Sequence, residues 1–197
     1  MQKPGGLPGR PHLPAPTHPP AEAETWHPPE GKTLCVIAGL LTGQSSGEEY
    51  ARLLERYCLA NRDSGEALSF GLLADLPDRP APMGEAEDQW LRGAQSALAA
   101  LNRKYGDRFY LLFRRPTFQA RDEHYGGWER KRGALIELTR LLRGQPSGLQ
   151  VLTGDKRKLP GTRFVITLDS DTSLNVGTAR EMVGAMAHPL NQPVVDG

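Results

Sequence analysis

The chain has 197 residues, 38% of them hydrophobic and 24% charged, with a formal net charge of +1. This balance gives no electrostatic reason to bind nucleic acid, and no apolar run reaches the ~20 residues that span a bilayer. Two cysteines, Cys35 and Cys58, indicate reduced thiols rather than a disulfide framework. These numbers predict a soluble, cytoplasmic domain.

The N-terminal segment differs in composition from the rest of the chain. Nine of the 17 prolines and three of the five histidines fall within the first 29 residues. Such a segment buries too little apolar surface to offset its ordering entropy. The histidine spacing matches no common metal-ligand pattern. We therefore expect residues 1–31 to be a disordered Pro-rich tail and residues 32–197 to form the domain.

From Lys32 onward, short apolar runs alternate with longer amphipathic stretches. Four such runs have the length of buried strands, and the amphipathic stretches have helical spacing. Strand–helix alternation predicts an α/β fold with a mostly parallel sheet flanked by helices. The predicted strands are residues 33–41, 67–75, 108–113 and 163–168; helical stripes follow at 50–58, 91–101 and 134–142, and a last helix follows Thr178.

Three helix ends carry boundary signals. Ser45 or Ser46, each with a glutamate three residues later, predicts a capping box at the first helix. Thr178 with Glu181 predicts another at the last helix. Gly144 predicts the end of the third helix, because glycine readily adopts the left-handed conformation there.

Two acids follow the last predicted strand directly. Asp169 and Asp171 lie two residues apart, so in an extended chain their side chains point to the same side. One or two carboxylates together with substrate phosphates are the usual ligands of protein-bound Mg²⁺. Ligands of parallel α/β sheets bind at this carboxyl edge. The pair therefore predicts a divalent metal site, for which Mg²⁺ is the typical cation.

An alternative reading of the same acids is a haloacid-dehalogenase-like phosphotransferase. Its strand-then-D-x-D-x-T motif would make Asp169 the nucleophile and Asp171 the acid/base. That family places the motif on its first strand and has a lysine and further acids downstream. Here the motif follows the last predicted strand, and 26 residues come after Asp171.

A basic cluster opens the third predicted helix. Arg130, Lys131 and Arg132 lie in its first turns, where the helix dipole disfavours cations. Their position is explained if they meet an anion, which a helix N-terminus also attracts. A solvated basic face with Glu129 as partner remains the alternative.

Three strings, taken together, resemble one family. The segments Gly126–Gly144 (GGWERKRGALIELTRLLRG), Arg163–Thr172 (RFVITLDSDT) and Ala185–Val194 (AMAHPLNQPV) resemble, in the same order, segments of cyclic β-1,2-glucan synthases. The first two strands, within residues 32–78, resemble that family more loosely. The resemblance covers roughly Lys32 to the C-terminus.

The resemblance implies a glycosyltransferase of the GT-A fold that uses UDP-glucose as donor and a glucan as acceptor. It implies Mg²⁺ or Mn²⁺ as the cofactor, with Asp171 as a metal ligand and Asp169 in contact with the metal or the donor ribose. It also implies that Lys131 lies near the donor nucleotide. It matches Asp75 to the acid that meets the uracil ring, with Asp78 as a neighbouring candidate. It also implies a location at the cytoplasmic face of the inner membrane within a larger synthase.

Two departures from the family pattern qualify these expectations. Ala38-Gly39 stands where the family tends to have Pro-Thr after the first strand, so the donor-side turn is expected to differ. In GT-A enzymes the acceptor half and the catalytic base follow the D-x-D strand, so we expect an incomplete piece with the base outside this chain. The expected behaviour is donor binding with weak or absent turnover. The competing interpretation is a non-catalytic remnant or nucleotide-sugar binding module.

Overall fold

The structure, a computed structural model, describes residues 31–191. The predicted tail lies outside the described residues, apart from Gly31. A five-stranded sheet in the order β6-β3-β2-β1-β7 forms the centre, and a two-stranded hairpin, β4-β5, stands apart from it. The strands are β1 (Thr33–Leu40), β2 (Leu68–Asp75), β3 (Phe109–Arg114), β4 (Thr117–Gln119), β5 (His124–Gly126), β6 (Leu149–Thr153) and β7 (Phe164–Leu168).

Four parallel strands account for most of the sheet, which confirms the predicted α/β class. β1 lies between β2 and β7, with Thr33 opposite Leu68 on one side and Phe164 on the other. The first three of the four parallel strands in chain order, β1, β2 and β3, are almost entirely buried. Sheets covered on both faces need such continuous apolar runs, which is why these strands were readable from the sequence.

Helices cover both faces of the sheet. They are α1 (Ser46–Ala60), α2 (Glu85–Tyr105), α3 (Arg130–Leu142) and α4 (Thr178–Ala187). The first, second and fourth pack on one face, in a core that includes Leu54, Leu98 and Val183. The third packs on the other face through Ala134 and Leu138.

Two β elements were not predicted. β6 pairs antiparallel with β3 at the sheet edge. The β4-β5 hairpin lies between the third predicted strand and the third predicted helix, and Tyr125 forms an isolated bridge with Arg79. Its two strands have three residues each, which is too short for an alternating pattern to be recognised.

The predicted capping boxes at the first and last helices are wrong. The Ser45 hydroxyl donates to the Glu49 carboxylate and the Ser46 hydroxyl donates to the Gly43 carbonyl, so neither caps the amides of α1. At α4, Gly177 is the N-cap, and the amide of Ala179 donates to the Asn61 side chain at 3.1 Å. A distant side chain thus satisfies the donor that a local cap would have satisfied. Gly144, with φ of +68°, confirms the predicted end of α3.

The strand order identifies one edge of the sheet as the place for a ligand. From β1 the chain moves through β2 to β3, and it then returns to the opposite side of β1 to form β7. The order therefore reverses between β1 and β7. In open α/β sheets, ligands bind outside the carboxyl ends of the strands at such a reversal.

Candidate functional site

A cleft of about 430 Å³ lies at this carboxyl edge. The ends of β1 and β2 form its floor and one wall, and the start of α3 forms the opposite wall. Its apolar lining, which includes Leu40 and Leu73, suits a flat, uncharged ring, whereas its charged groups suit an anion. The lining residues are Ala38, Gly39, Leu40, Leu73, Asp75, Leu76, Pro77, Asp78, Gly127, Arg130 and Lys131.

Asp75, the predicted base-binding acid, lines the cleft and is paired with a buried arginine. The Arg114 Nε donates to Oδ1 at 2.8 Å and Nη2 donates to Oδ2 at 2.5 Å. The Arg114 side chain is 4% exposed and that of Asp75 12%. A bidentate pair of this kind fixes the carboxylate plane. Asp75 therefore meets a ligand only through the lone pairs that Arg114 leaves free.

The same guanidinium also holds the loop that leads into α3. Its Nη1 donates to the Trp128 carbonyl and its Nη2 to the Arg130 carbonyl, each at 2.8 Å. A Cβ atom at Gly127 or Gly133 would collide with the guanidinium. These contacts give the G-W-E-R-K-R-G string a physical reason: its two flanking glycines leave the space that the Arg114 side chain fills.

The backbone at the start of α3 is strained. Glu129 and Arg130 both have positive φ, +46° and +45°. Residues with a Cβ seldom adopt this region, and they keep it where surrounding contacts enforce it. The two carbonyls that accept from Arg114 flank Glu129, so the guanidinium contacts the strained segment on both sides of that residue.

Lys131, the predicted nucleotide contact, lies against Asp169. Its Nζ is 2.5 Å from Asp169 Oδ1, with 41% of the Lys131 side chain and 63% of the Asp169 side chain exposed. Lys131 also lines the cleft. One predicted metal ligand therefore lies next to the cleft, and within residues 31–191 only one of its two oxygens is in an ion pair.

The loop that carries Asp171, the other predicted metal ligand, is held by its backbone. The Thr172 amide donates to the Asp169 carbonyl at 3.0 Å, and the buried Tyr57 hydroxyl of α1 donates to the Thr172 carbonyl. Asp171 itself is exposed and has no hydrogen bond or ion pair with residues 31–191. Its carboxylate is free to take an external ligand.

The donor set fits a cation that shares its ligands with a substrate. Asp169 and Asp171 supply hard carboxylate oxygens, which suit Mg²⁺ or Mn²⁺. Across residues 31–191, no group of three or more His, Cys, Asp or Glu side chains could hold a metal. An all-protein cage is therefore not formed by these residues, whereas two carboxylates completed by phosphates and water remain compatible with them.

Asp78, the neighbouring candidate to Asp75, lies at the cleft rim. Its Oδ2 accepts from Arg130 Nη2 at 2.8 Å, and its Oδ1 lies 3.4 Å from His124 Nε2. The Arg130 side chain is 84% exposed, so this pair is weak and can exchange with a ligand.

The Ala38-Gly39 departure has a structural counterpart. A Cβ at Gly39 would collide with the Tyr50 ring, which packs from α1 against the end of β1. Burial raises the pKa of the Tyr50 hydroxyl, which therefore stays neutral at physiological pH. An aromatic ring thus fills the space beside the end of β1, and nothing in the sequence indicates this contact.

Arg114 and Tyr57 are the two site residues that sequence reasoning missed. Arg114 closes the otherwise apolar strand FYLLFR, and a charge at the end of a buried strand is a usable signal, because buried charges need partners. Tyr57 lies within the apolar stripe predicted for the first helix. Nothing in the sequence indicates that its hydroxyl reaches Thr172.

No helix within residues 31–191 combines the length and apolarity needed to cross a membrane.

Comparison with known proteins identifies one informative relative. No family model matches the chain. Over 173 residues the chain is 37% identical to the cyclic beta-(1,2)-glucan synthase NdvB of Rhizobium meliloti (strain 1021). The match takes in 86% of this chain and 6% of that protein. The chain is therefore similar to a segment of a glucan synthase and spans about 6% of that relative's length.

Proposed function

We propose that this chain is the donor-binding part of a GT-A-type glycosyltransferase that uses UDP-glucose for β-1,2-glucan synthesis. The observation that carries the proposal is the meeting of Lys131, which lines the cleft, with Asp169, two residues before Asp171, whose carboxylate has no partner within residues 31–191. Two neighbouring carboxylates and a lysine in an exchangeable surface ion pair at the carboxyl edge suit a cation and a nucleoside diphosphate. The 37% identity to a segment of a glucan synthase supports the same choice.

In this proposal the cleft binds the nucleotide in two parts. The uracil ring lies on the apolar floor formed by Leu40 and Leu73, beside Asp75. The diphosphate lies at the mouth, where the Lys131 ammonium leaves Asp169 to pair with a phosphate oxygen. The cleft thus selects a ligand that joins a flat base to an anionic group.

Asp169 and Asp171 would hold Mg²⁺ or Mn²⁺ against that diphosphate. When bound, such a cation stabilises the charge that develops on the departing diphosphate. Asp171 is the more direct ligand, because its carboxylate has no partner within residues 31–191, whereas Asp169 must first be released from Lys131. The exposed ion pair costs little to break.

No catalytic base is assigned. Within the described cleft, Asp75 is paired with Arg114 and Asp78 with Arg130 and His124, so neither acid stands ready to accept a proton. We therefore propose donor binding with weak or absent sugar transfer by these 197 residues. The glucan acceptor and the rest of a larger synthase would supply what transfer needs.

Calorimetry with UDP-glucose tests the proposal. Binding is expected to require Mn²⁺ and to weaken about tenfold or more in Asp171→Ala. Asp107→Ala is the matched control, because Asp107 is an exposed acid two residues before the buried strand β3, at the opposite edge of the sheet. Binding that ignores Mn²⁺, or that both variants weaken equally, contradicts the proposal. Hydrolysis of a phosphomonoester would instead support the phosphotransferase alternative.

A further inference from the structure

One buried side chain connects the end of β2 with the start of α3. The Arg114 guanidinium binds Asp75 at the end of β2, the Trp128 carbonyl in the loop before α3, and the Arg130 carbonyl at the first residue of α3. Four of its hydrogen bonds are made to these groups, and its side chain is 4% exposed.

This arrangement needs an arginine. A guanidinium offers directed donors in a planar fork, which can serve a carboxylate on one edge and two carbonyls on the other. A lysine ammonium would keep the charge at this position but could not span all three partners. A buried charge without partners is costly, so the four hydrogen bonds of this guanidinium indicate a built feature.

The backbone segment that Arg114 contacts is conformationally strained. Glu129, between the two bound carbonyls, and Arg130 both have positive φ. Without enforcing contacts, this segment would relax toward ordinary helical or extended conformations. Lys131 follows immediately, so a relaxed backbone would move its ammonium away from Asp169.

We propose that Arg114 is a positioning residue for the donor site: it holds the strained start of α3 so that Lys131 faces Asp169, and it fixes the Asp75 carboxylate in the cleft wall. The donor role rests on the proposed function above. The holding of the loop is a property of the chain itself and can be measured without a ligand.

Arg108, at the other end of β3, provides a matched comparison. Its Nε and Nη2 both donate to the Leu68 carbonyl, at 3.0 and 2.7 Å, so it too anchors neighbouring backbone through a fork. It lies at the amino edge of the sheet, away from the cleft. Arg108→Lys therefore removes a two-pronged guanidinium contact with backbone, as Arg114→Lys does, but at a position away from the cleft.

The experiment compares Arg114→Lys with Arg108→Lys by hydrogen exchange and by calorimetry, at a temperature where both are folded. Arg114→Lys is expected to speed amide exchange in residues 127–135 selectively. It is also expected to weaken UDP binding in the presence of Mn²⁺ by about 10- to 100-fold, the range found for residues that orient metal ligands. Arg108→Lys should leave both readouts at the wild-type level.

Unchanged exchange in residues 127–135 of Arg114→Lys, or equal effects of the two variants, overturns the positioning role. Failure of the wild-type chain to bind UDP overturns the proposed function, while the exchange comparison still decides whether Arg114 holds the loop. If Arg114→Lys does not fold, the pair Asp75→Leu with Arg114→Met removes both buried charges together. Fast exchange in residues 127–135 of that double variant supports the proposal, and wild-type exchange overturns it.

Discussion

Two regions at the cleft are built in opposite ways. The first, where β2, β3 and α3 meet, contains the buried Arg114 guanidinium, 4% exposed, which binds both the end of β2 and the start of α3. The second, the loop after β7, carries Asp169, which is 63% exposed and paired with Lys131. The first region is organised before a ligand arrives, whereas the second depends on the cation and phosphates that we propose it binds.

The energetics of the two ion pairs differ accordingly. Removing one partner of a buried, hydrogen-bonded pair costs about 3–5 kcal/mol, because the remaining charge stays buried without a partner. An exposed pair contributes about 0–1 kcal/mol and is screened by salt. The contacts of Arg114 should therefore contribute much to the stability of the fold, whereas Asp169 can exchange Lys131 for a ligand at little cost in free energy.

The largest effect is expected from Arg114→Met. It should lower the free energy of unfolding by about 3–5 kcal/mol, since Asp75 and two backbone carbonyls lose their donor. Urea unfolding measures the change. Arg115→Met, at the exposed neighbouring position, serves as control and should shift the free energy by less than about 0.5 kcal/mol. Similar losses in both variants would mean that the buried fork is not the stabilising feature.

An intermediate effect is expected from Glu137→Gln. The buried Glu137 accepts from the Gly148 amide at 2.6 Å and pairs with Arg140, and so ties α3 to the segment before β6. The hydrogen bond from the Gly148 amide, first among several contacts, lowers the pKa of this carboxyl below its usual range. Glu137→Gln should therefore lower the free energy of unfolding by about 1–3 kcal/mol at neutral pH, as measured by urea unfolding.

The sign of the pH dependence follows from the lowered pKa. The folded chain favours the carboxylate, so Glu137 stabilises above the ordinary glutamate pKa of about 4.3 and loses this contribution as the pH falls below it. The difference in the free energy of unfolding between wild type and Glu137→Gln should therefore become smaller toward acid pH. A difference that stays constant between pH 7 and pH 3 would contradict a stabilising role of the carboxylate charge. Glu48→Gln, which removes an exposed ion pair with Arg52, is the control, and its free energy of unfolding should match that of wild type at either pH.

The smallest effect on stability is expected from Lys131→Met. The exposed pair with Asp169 contributes about 0–1 kcal/mol, so the melting temperature should hardly move. Affinity for UDP should nevertheless fall about tenfold or more, because the phosphate loses its cationic partner. Lys158→Met, which breaks the exposed pair with Asp107, is the matched control and should leave affinity unchanged. A large loss of stability in Lys131→Met would contradict the difference drawn between the buried Arg114–Asp75 pair and the exposed Lys131–Asp169 pair.

The sequence predicted what local patterns determine. The four parallel strands appear as apolar runs, and the position of Asp169 and Asp171 after a strand follows from the order of residues alone. The strand order, and with it the cleft, follows from the general rules of α/β sheets once the strands are known. The resemblance placed Lys131 near the donor site, and the structure places it against Asp169.

What the sequence did not predict are the contacts between distant residues. Arg114 and Asp75 are 39 positions apart, and the amide at the start of α4 finds its acceptor on Asn61, 118 positions away. Periodicity describes which face of an element is apolar, but it does not identify which polar groups meet once the elements pack. The capping box predicted at α4 was wrong for the same reason, because the Asn61 side chain replaced the local cap.

Electron paramagnetic resonance of bound Mn²⁺ tests the central claim most directly. With UDP-glucose present, the account predicts a bound Mn²⁺ signal with hyperfine coupling to phosphorus, strongly reduced in Asp171→Asn and retained in Asp107→Asn. A bound signal without phosphorus coupling, or one that Asp171→Asn leaves unchanged, would contradict the claim that this acid and the donor diphosphate share one cation.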